Sequence, residues 1–276
     1  MANAVVAVRR SSGFLFVFLA LTWLTAPANA IIYGLDSNGG ADNALVTINP
    51  LTGAKTVIGN LGVNNVSSLA FDSNTQTLYG AKFGSDELLT INTTTGAASV
   101  VGSLSHRVVG LTFNPNTGQL LGEDALGDNF LSIDPGTGTT VVLGSNGEFE
   151  EALAFNANTN SVFGTTLDDE LLIIDPTDGT SSVVGTLGSG AFVSGLAYDA
   201  GTDTLYGYNG SNDSLVIINT STGAISSTVG TVSAVGGITG MTFAEDPIVL
   251  PESAPLALMA LGLLGLALHR RRYLSI

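Results

Sequence analysis

The chain has no cysteine, and between Ile31 and Leu250 it has only three basic residues, Lys55, Lys82 and Arg107. Without cysteine it can form no disulfide, no thiolate metal site and no cysteine nucleophile. Histidine is almost as scarce. His106 is the only one outside the C-terminal tail, and one histidine in a connecting loop falls short of the converging His, Asp and Glu side chains a metal-dependent hydrolase uses. The sole tryptophan, Trp23, lies in the N-terminal apolar run. The three basic residues face 22 acidic ones over Ile31–Leu250, a net charge of −19. Such a surface repels phosphate backbones, so nucleic acid is excluded as a partner, and cations or basic partners are the expected company. The same charge also serves plain solubility.

What the chain does have is glycine, 35 of 276 residues, set among Thr, Ser, Asn and Asp. That mixture favours strands and tight turns over helices. With 45% apolar and 11% charged residues, the chain can bury a core and is not expected to be disordered.

The two ends differ from the middle. Arg9 and Arg10 precede an apolar run from Phe14 to Leu24, and Ala28-Asn29-Ala30 places small residues where a signal peptidase reads them. The run is short for a membrane span, so residues 1–30 are expected to be a secretory signal removed after Ala30. The C-terminal end reads "LPESAPLALMALGLLGLALHRRRYLSI": Pro251-Glu252-Ser253, an apolar stretch from Ala254 to Leu268, then His269 to Arg272. Fifteen helical residues span roughly 22 Å, less than the roughly 30 Å hydrocarbon core, and snorkelling arginines can make up part of the difference. The basic cluster should halt translocation and stay cytoplasmic.

Those three parts, in that order, resemble the PEP-CTERM sorting signal of exported bacterial proteins. Pro251 and Glu252 match the first two motif residues, Ser253 replaces the second proline, and Leu256–Leu268 with Arg270, Arg271 and Arg272 match the helix and arginine cluster. The resemblance implies processing by an exosortase-type membrane peptidase in a polysaccharide-producing bacterium. "LPESA" also resembles a loosened Leu-Pro-x-Thr-Gly sortase signal, with Ser253 for Thr and Ala254 for Gly. Either enzyme would leave the protein outside the cytoplasm.

Between the ends, one pattern recurs in complete copies from about Val66, Val108, Phe149 and Val193. Each copy opens with an alternating strand ("SLAFD", "GLTFN", "ALAFN", "GLAYD"), turns through Asx and Gly residues, and continues with "TLYG", "QLLG", "SVFG" or "TLYG". A continuous apolar strand follows ("ELLTIN", "FLSID", "ELLIID", "SLVIIN"), then a Gly-containing turn and a fourth strand such as "ASVVG". Period-2 alternation puts Leu69 and Phe71 on one face and Ala70 on the other, so the large face of one unit can pack on the small face of the next. The apolar third strand is expected to be buried on both faces.

Four antiparallel strands in about 42 residues is the size of a β-propeller blade. The sequence after Ala30 starts in a second strand, "IIYG", and the missing first strand appears at the far end as "ITGMTF", Ile238–Phe243. The expected fold is therefore an all-β propeller of five four-stranded blades over residues 31–247, closed by pairing the last strand with the first three. It is followed by a sorting tail with a short transmembrane helix over 248–276. An open stack of sheets is the alternative.

Candidate chemistry is sparse. Acids recur before each third strand: Asp42, Asp86 with Glu87, Asp128, Asp168 with Asp169 and Glu170, and Asp213, with Glu148, Glu150 and Glu151 in a connection on the same face. Such a rim could recruit Ca²⁺, although turns favour Asp for their own reasons. Most aromatics keep the phase of the repeat and read as core, whereas Phe83, Phe130, Phe149, Phe192 and Tyr208 fall off it. The expectation is a non-catalytic, exported surface or matrix interaction protein. A polysaccharide- or calcium-binding module is the alternative, and a propeller hydrolase comes third.

Overall fold

The structure is a computed structural model that describes residues 30–37, 43–145, 147 and 150–244. The expected signal peptide, the sorting tail and Asp42 lie outside the described residues. Among the described residues no helix is long and apolar enough to cross a membrane.

The repeat folds as the periodicity predicts. Blade 2 is β4 (Val66–Asp72), β5 (Thr77–Lys82), β6 (Glu87–Ile91) and β7 (Ala98–Ser103), in that order from the axis outward. Blade 3 is β8 (Val108–Asn114), β9 (Gln119–Asp124), β10 (Asn129–Ile133) and β11 (Thr140–Ser145). Blade 4 is β12 (Glu150–Asn156), β13 (Ser161–Thr166), β14 (Glu170–Ile174) and β15 (Ser181–Thr186). Blade 5 is β16 (Val193–Asp199), β17 (Thr204–Asn209), β18 (Ser214–Ile218) and β19 (Ile225–Thr231). Blade 1 is composite: β20 (Ile238–Ala244) pairs antiparallel with β1 (Ile31–Asp36), which continues into β2 (Ala44–Ile48) and β3 (Lys55–Asn60). The register sets Tyr33 opposite Thr242 and Ile31 opposite Ala244. The ring is thus a five-bladed propeller closed by its C-terminal strand.

The core sits between blades. Ala70, Tyr79, Ala81 and Leu88 of blade 2 pack on Val108, Leu111, Phe113, Leu120, Leu131 and Ile133 of blade 3. The same small-on-large seam recurs around the ring, including the closing seam of Ala197, Tyr206 and Leu215 against Ile32, Ile48, Ile238 and Met241. Each fully buried Leu, Ile or Phe contributes about 1.5–3 kcal/mol, so the alternation of each inner strand is what makes neighbouring blades adhere. Aromatic contacts follow the same rule: Tyr33 of blade 1 lies 6.1 Å from Phe71 of blade 2, and Tyr206 of blade 5 lies 6.4 Å from Phe243 of blade 1.

A glycine near the end of every outer strand sets how closely blades approach. A Cβ on Gly59, Gly102, Gly144, Gly185 or Gly230 would stand 2.2, 2.0, 1.8, 2.1 or 2.1 Å from a backbone carbonyl oxygen in the next blade's third-to-fourth turn. The last of these, Gly230 against Thr52, joins blade 5 to blade 1. Each glycine is beside a β-bulge, as between Leu88 and Leu89 opposite Gly102, and bulges add the local twist that swings an outer strand toward its neighbour.

Candidate functional site

The axis of the ring is blocked. Leu69, Leu111, Leu153, Leu196 and Met241, one from each inner strand, are 1–3% exposed and leave about 10 Å³ between them. That is barely room for one water molecule, so the two mouths of the ring are separate.

The lower mouth, at the ends of the inner strands, is a cavity of about 350 Å³. Phe71, Phe113, Phe155, Tyr198 and Phe243 line it at equivalent positions, and they are the in-phase aromatics that the inter-blade seams require. Backbone N–H groups of Phe155 and Phe71 donate to Thr112 Oγ1 and Thr242 Oγ1 of the preceding blade. The Asx turns here are scaffolding, as with Asp72 accepting from the backbone of Asn74 and Thr75. Burial first, and then a hydrogen bond donated to Asp203, pushes the Tyr198 hydroxyl up to about 12.

The upper mouth is larger, about 870 Å³; the inner-strand residues Ser67, Val109, Ser194 and Thr239 recur around it, whereas its turn residues differ from blade to blade. Inner-strand bulges such as that between Val66 and Ser68 aim the hydroxyls of Ser67 and Ser194 into the mouth. Ser67 Oγ donates to Val108 O at 3.1 Å, Ser194 Oγ to Ile238 O at 2.8 Å and Thr239 Oγ1 to Val66 O at 3.3 Å, tying blade 2 to blade 3, blade 5 to blade 1 and blade 1 to blade 2. Asn43 Oδ1 accepts from Val66 N–H at 2.9 Å, which leaves the NH2 of its amide as the remaining donor. Asn64 and Asn65 are exposed.

Two aromatic rings stand at this mouth with one side supported. Arg107 Cζ lies 4.8 Å from the centroid of Phe83, a cation–π contact. Phe192 lies over Gly210, where a Cβ would stand 3.1 Å from its Cδ1. Both rings remain accessible, Phe83 at 39% and Phe192 at 45%. Tyr208, at the base of the mouth, donates to Asp213 Oδ1 at 3.0 Å, and Ala234 N–H donates to the same oxygen at 3.2 Å. Burial, and next the bond to Asp213, pushes the Tyr208 hydroxyl up to about 12, so tyrosine stays the donor and aspartate the acceptor.

The acidic rim has a local explanation. Asp86, Asp128, Asp169 and Asp213 all have φ between 47° and 59°, the left-handed region that Asp tolerates better than most residues. Their carbonyls hold neighbouring chain, Asp86 O accepting from Leu104 N–H, Asp169 O from Leu187 N–H and Asp213 O from Val232 N–H. The carboxylates go separate ways: Asp86 lies 3.7 Å from Arg107 Nε, Glu87 is paired with Lys82 at 3.2 Å, and Asp168 is exposed. Hydrogen bonds from Ser85 and then Lys82 hold the Glu87 carboxyl below its ordinary value. Among the described residues no three His, Asp or Glu gather closely enough to hold a metal ion.

Two acids that the repeat pattern does not mark are buried near the upper ends of the strands. Asp36 is paired with Lys55 at 2.5 Å and accepts from the backbone of Val235 and Gly236. Glu123 is wholly buried, at the position where the other blades have Leu35, Ala81, Thr165 and Tyr208. His106 Nδ1 is 2.7 Å from Thr140 Oγ1, linking a connection to the outer strand of blade 3.

No family model and no curated protein matches the chain. Among solved structures, a chain of a nidogen/laminin complex is similar with a TM-score of 0.54 and 16% identity, over 78% of this chain and 85% of that one. A protein of unknown function from Bacteroides thetaiotaomicron is similar with a TM-score of 0.49 and 13% identity, over 68% of this chain and 55% of that one. At 16% identity the likeness to the nidogen/laminin chain is one of fold alone.

Proposed function

We propose that the protein is an exported, non-catalytic interaction module of the cell surface or extracellular matrix, working through the upper mouth of its propeller. The observation that carries this is the makeup of that mouth: hydroxyls, carboxamides and two accessible aromatic rings mounted on a closed ring. The polar groups with partners there are used in holding the blades together, and the side chains of the cavity are those of recognition.

Export is supported by the ends of the sequence. Ala28 and Ala30 suit signal peptidase, and Pro251, Glu252, Ser253 and the arginines Arg270, Arg271 and Arg272 suit an exosortase-type enzyme. In this scheme the tail holds the protein at the membrane during sorting, and the propeller meets envelope proteins or extracellular polysaccharide.

The test is the intact mass of the protein recovered from the outer and medium fractions of its producing cells. A chain that starts at Ile31 and ends near Pro251 is expected, with any attached sugar or lipid visible as excess mass. A chain recovered only from the cytoplasm, with Met1 to Ala30 still attached, would contradict the proposal.

A further inference from the structure

We infer that the upper mouth binds a neutral oligosaccharide segment, with Phe83 and Phe192 as stacking platforms and Asn64, Asn65 and Asp213 as hydrogen-bonding partners of its hydroxyls. This rests on the surface-interaction function proposed above and names its ligand class and residues.

The first ground is where the repeat departs from itself. Phe83 occupies a turn position filled by Ser37, Ala125, Leu167 and Gly210 in the other blades, whereas Phe192 precedes its inner strand where Asn65, Arg107, Phe149 and Gly237 precede theirs, a position aromatic in two blades of five. Neither ring is needed by a seam between blades, since the hydrophobic clusters contain neither. Yet both line one cavity, and each is braced on one side, Phe83 by Arg107 and Phe192 by Gly210. Two accessible rings lining one cavity together offer the apolar surface that a ligand-binding groove presents.

The second ground is the chemistry beside the rings. A pyranose offers a face of C–H groups and an edge of hydroxyls that both donate and accept. The rings suit the first. Asn64 and Asn65 suit the second, because each carboxamide supplies donors and an acceptor in one plane and neither side chain forms a hydrogen bond among the described residues. Asp213 adds an acceptor fixed in place, one oxygen taken by Tyr208 and Ala234 and the other left for a sugar hydroxyl. A cavity of about 870 Å³ is within the range of roughly 300–1,000 Å³ typical of small-ligand sites.

The third ground is charge, which sets the class of sugar. A net charge of −19 over Ile31–Leu250 opposes uronic acids, sulfated sugars and phosphates. The three cations between Ile31 and Leu250 each lie against a carboxylate, Lys55 on Asp36, Lys82 on Glu87 and Arg107 Nε 3.7 Å from Asp86, so each carries a negative neighbour that opposes an anionic sugar.

The experiment is calorimetric titration of the full chain in mild detergent with neutral gluco-, galacto- and manno-oligosaccharides of about three to six units, a uronic-acid oligosaccharide, and oligolysine. One neutral series is expected to bind at a single site. Phe83→Ala and Phe192→Ala should each weaken it about tenfold, as loss of one stacked ring implies, and Asn64→Ala should weaken it less. Gln76→Ala at the lower mouth should leave affinity unchanged. Thermal melting of each variant checks that the fold persists, and Phe192→Ala serves if Phe83→Ala disturbs Arg107. Binding of none of the neutral series, preference for the uronic acid or oligolysine, or affinity unmoved in both phenylalanine variants would overturn the inference. A protein that is found outside the cell but binds no neutral sugar sinks this inference alone. A sugar-binding protein confined to the cytoplasm sinks the proposed function instead.

Discussion

Four tyrosine hydroxyls carry a raised pKa, Tyr79, Tyr198, Tyr206 and Tyr208, in every case through burial first. Tyr198 and Tyr208, each hydrogen-bonded to an aspartate, reach about 12. An unfolded tyrosine ionises near pH 10, so between about pH 10 and 12 the unfolded chain releases protons that the folded chain keeps. Stability from these groups is therefore complete below about pH 10 and lost as pH rises through about 12. Melting temperature should hold steady up to about pH 9.5 and then fall, and the Tyr198→Phe, Tyr208→Phe double variant should fall less steeply. An equal slope in both proteins would show that these hydroxyls are not protected by folding.

At the same scale, the recurring acids have a backbone cause. Asp86, Asp128, Asp169 and Asp213 recur because a left-handed backbone position recurs, and the carboxylates they bring along do not meet at one point. Phe83 and Phe192, by contrast, were legible in the sequence as aromatics that break the phase. Phe130 breaks it too but is fully buried, tucked against Gly179 of the next blade, where a Cβ would stand 2.6 Å from its own Cβ. The phase alone could not separate these cases. The connecting loops decide it, and their conformation depends on the neighbouring blade rather than on local sequence.

The elements were the most legible part. Asx-Gly turns and period-2 alternation placed the strands of every blade, although the inner strands begin two residues earlier than the "SLAFD" motif suggests, at Val66 in β4. The extra residues form the bulge that carries Ser67 to the upper mouth, a feature with no compositional mark. The outer-strand glycines make a sharper test of element packing. Gly102 has an ordinary backbone conformation, but a Cβ there would lie 2.0 Å from Thr137 O. Gly102→Ala should destabilise the fold by about 1–3 kcal/mol through overpacking, read as a lower urea midpoint. Gly84→Ala has open space around it but φ of +94°, so it should lose stability only through backbone strain, about 1 kcal/mol. Equal tolerance of both would contradict the close approach of blade 2 to blade 3.

For the whole molecule, everything proposed at the upper mouth depends on a closed ring. The cavity takes residues from blades 1, 2, 3 and 5, so an open stack would scatter them. Closure was legible because the missing first strand of one end appears at the other, and it now rests on the β1–β20 register, the Tyr206–Phe243 contact and the Gly230–Thr52 approach. The chain's lack of cysteine makes the most direct measurement unambiguous. Ile31→Cys and Ala244→Cys place one thiol on each terminal strand at facing Cα positions, within the 4.4–6.8 Å that a disulfide spans. On mild oxidation of the native protein, the double variant should form an intramolecular disulfide nearly completely, with a mass loss of about two hydrogens and a reductant-sensitive rise in melting temperature. Thiols that stay free, or that link only between molecules, would mean that the ring is open.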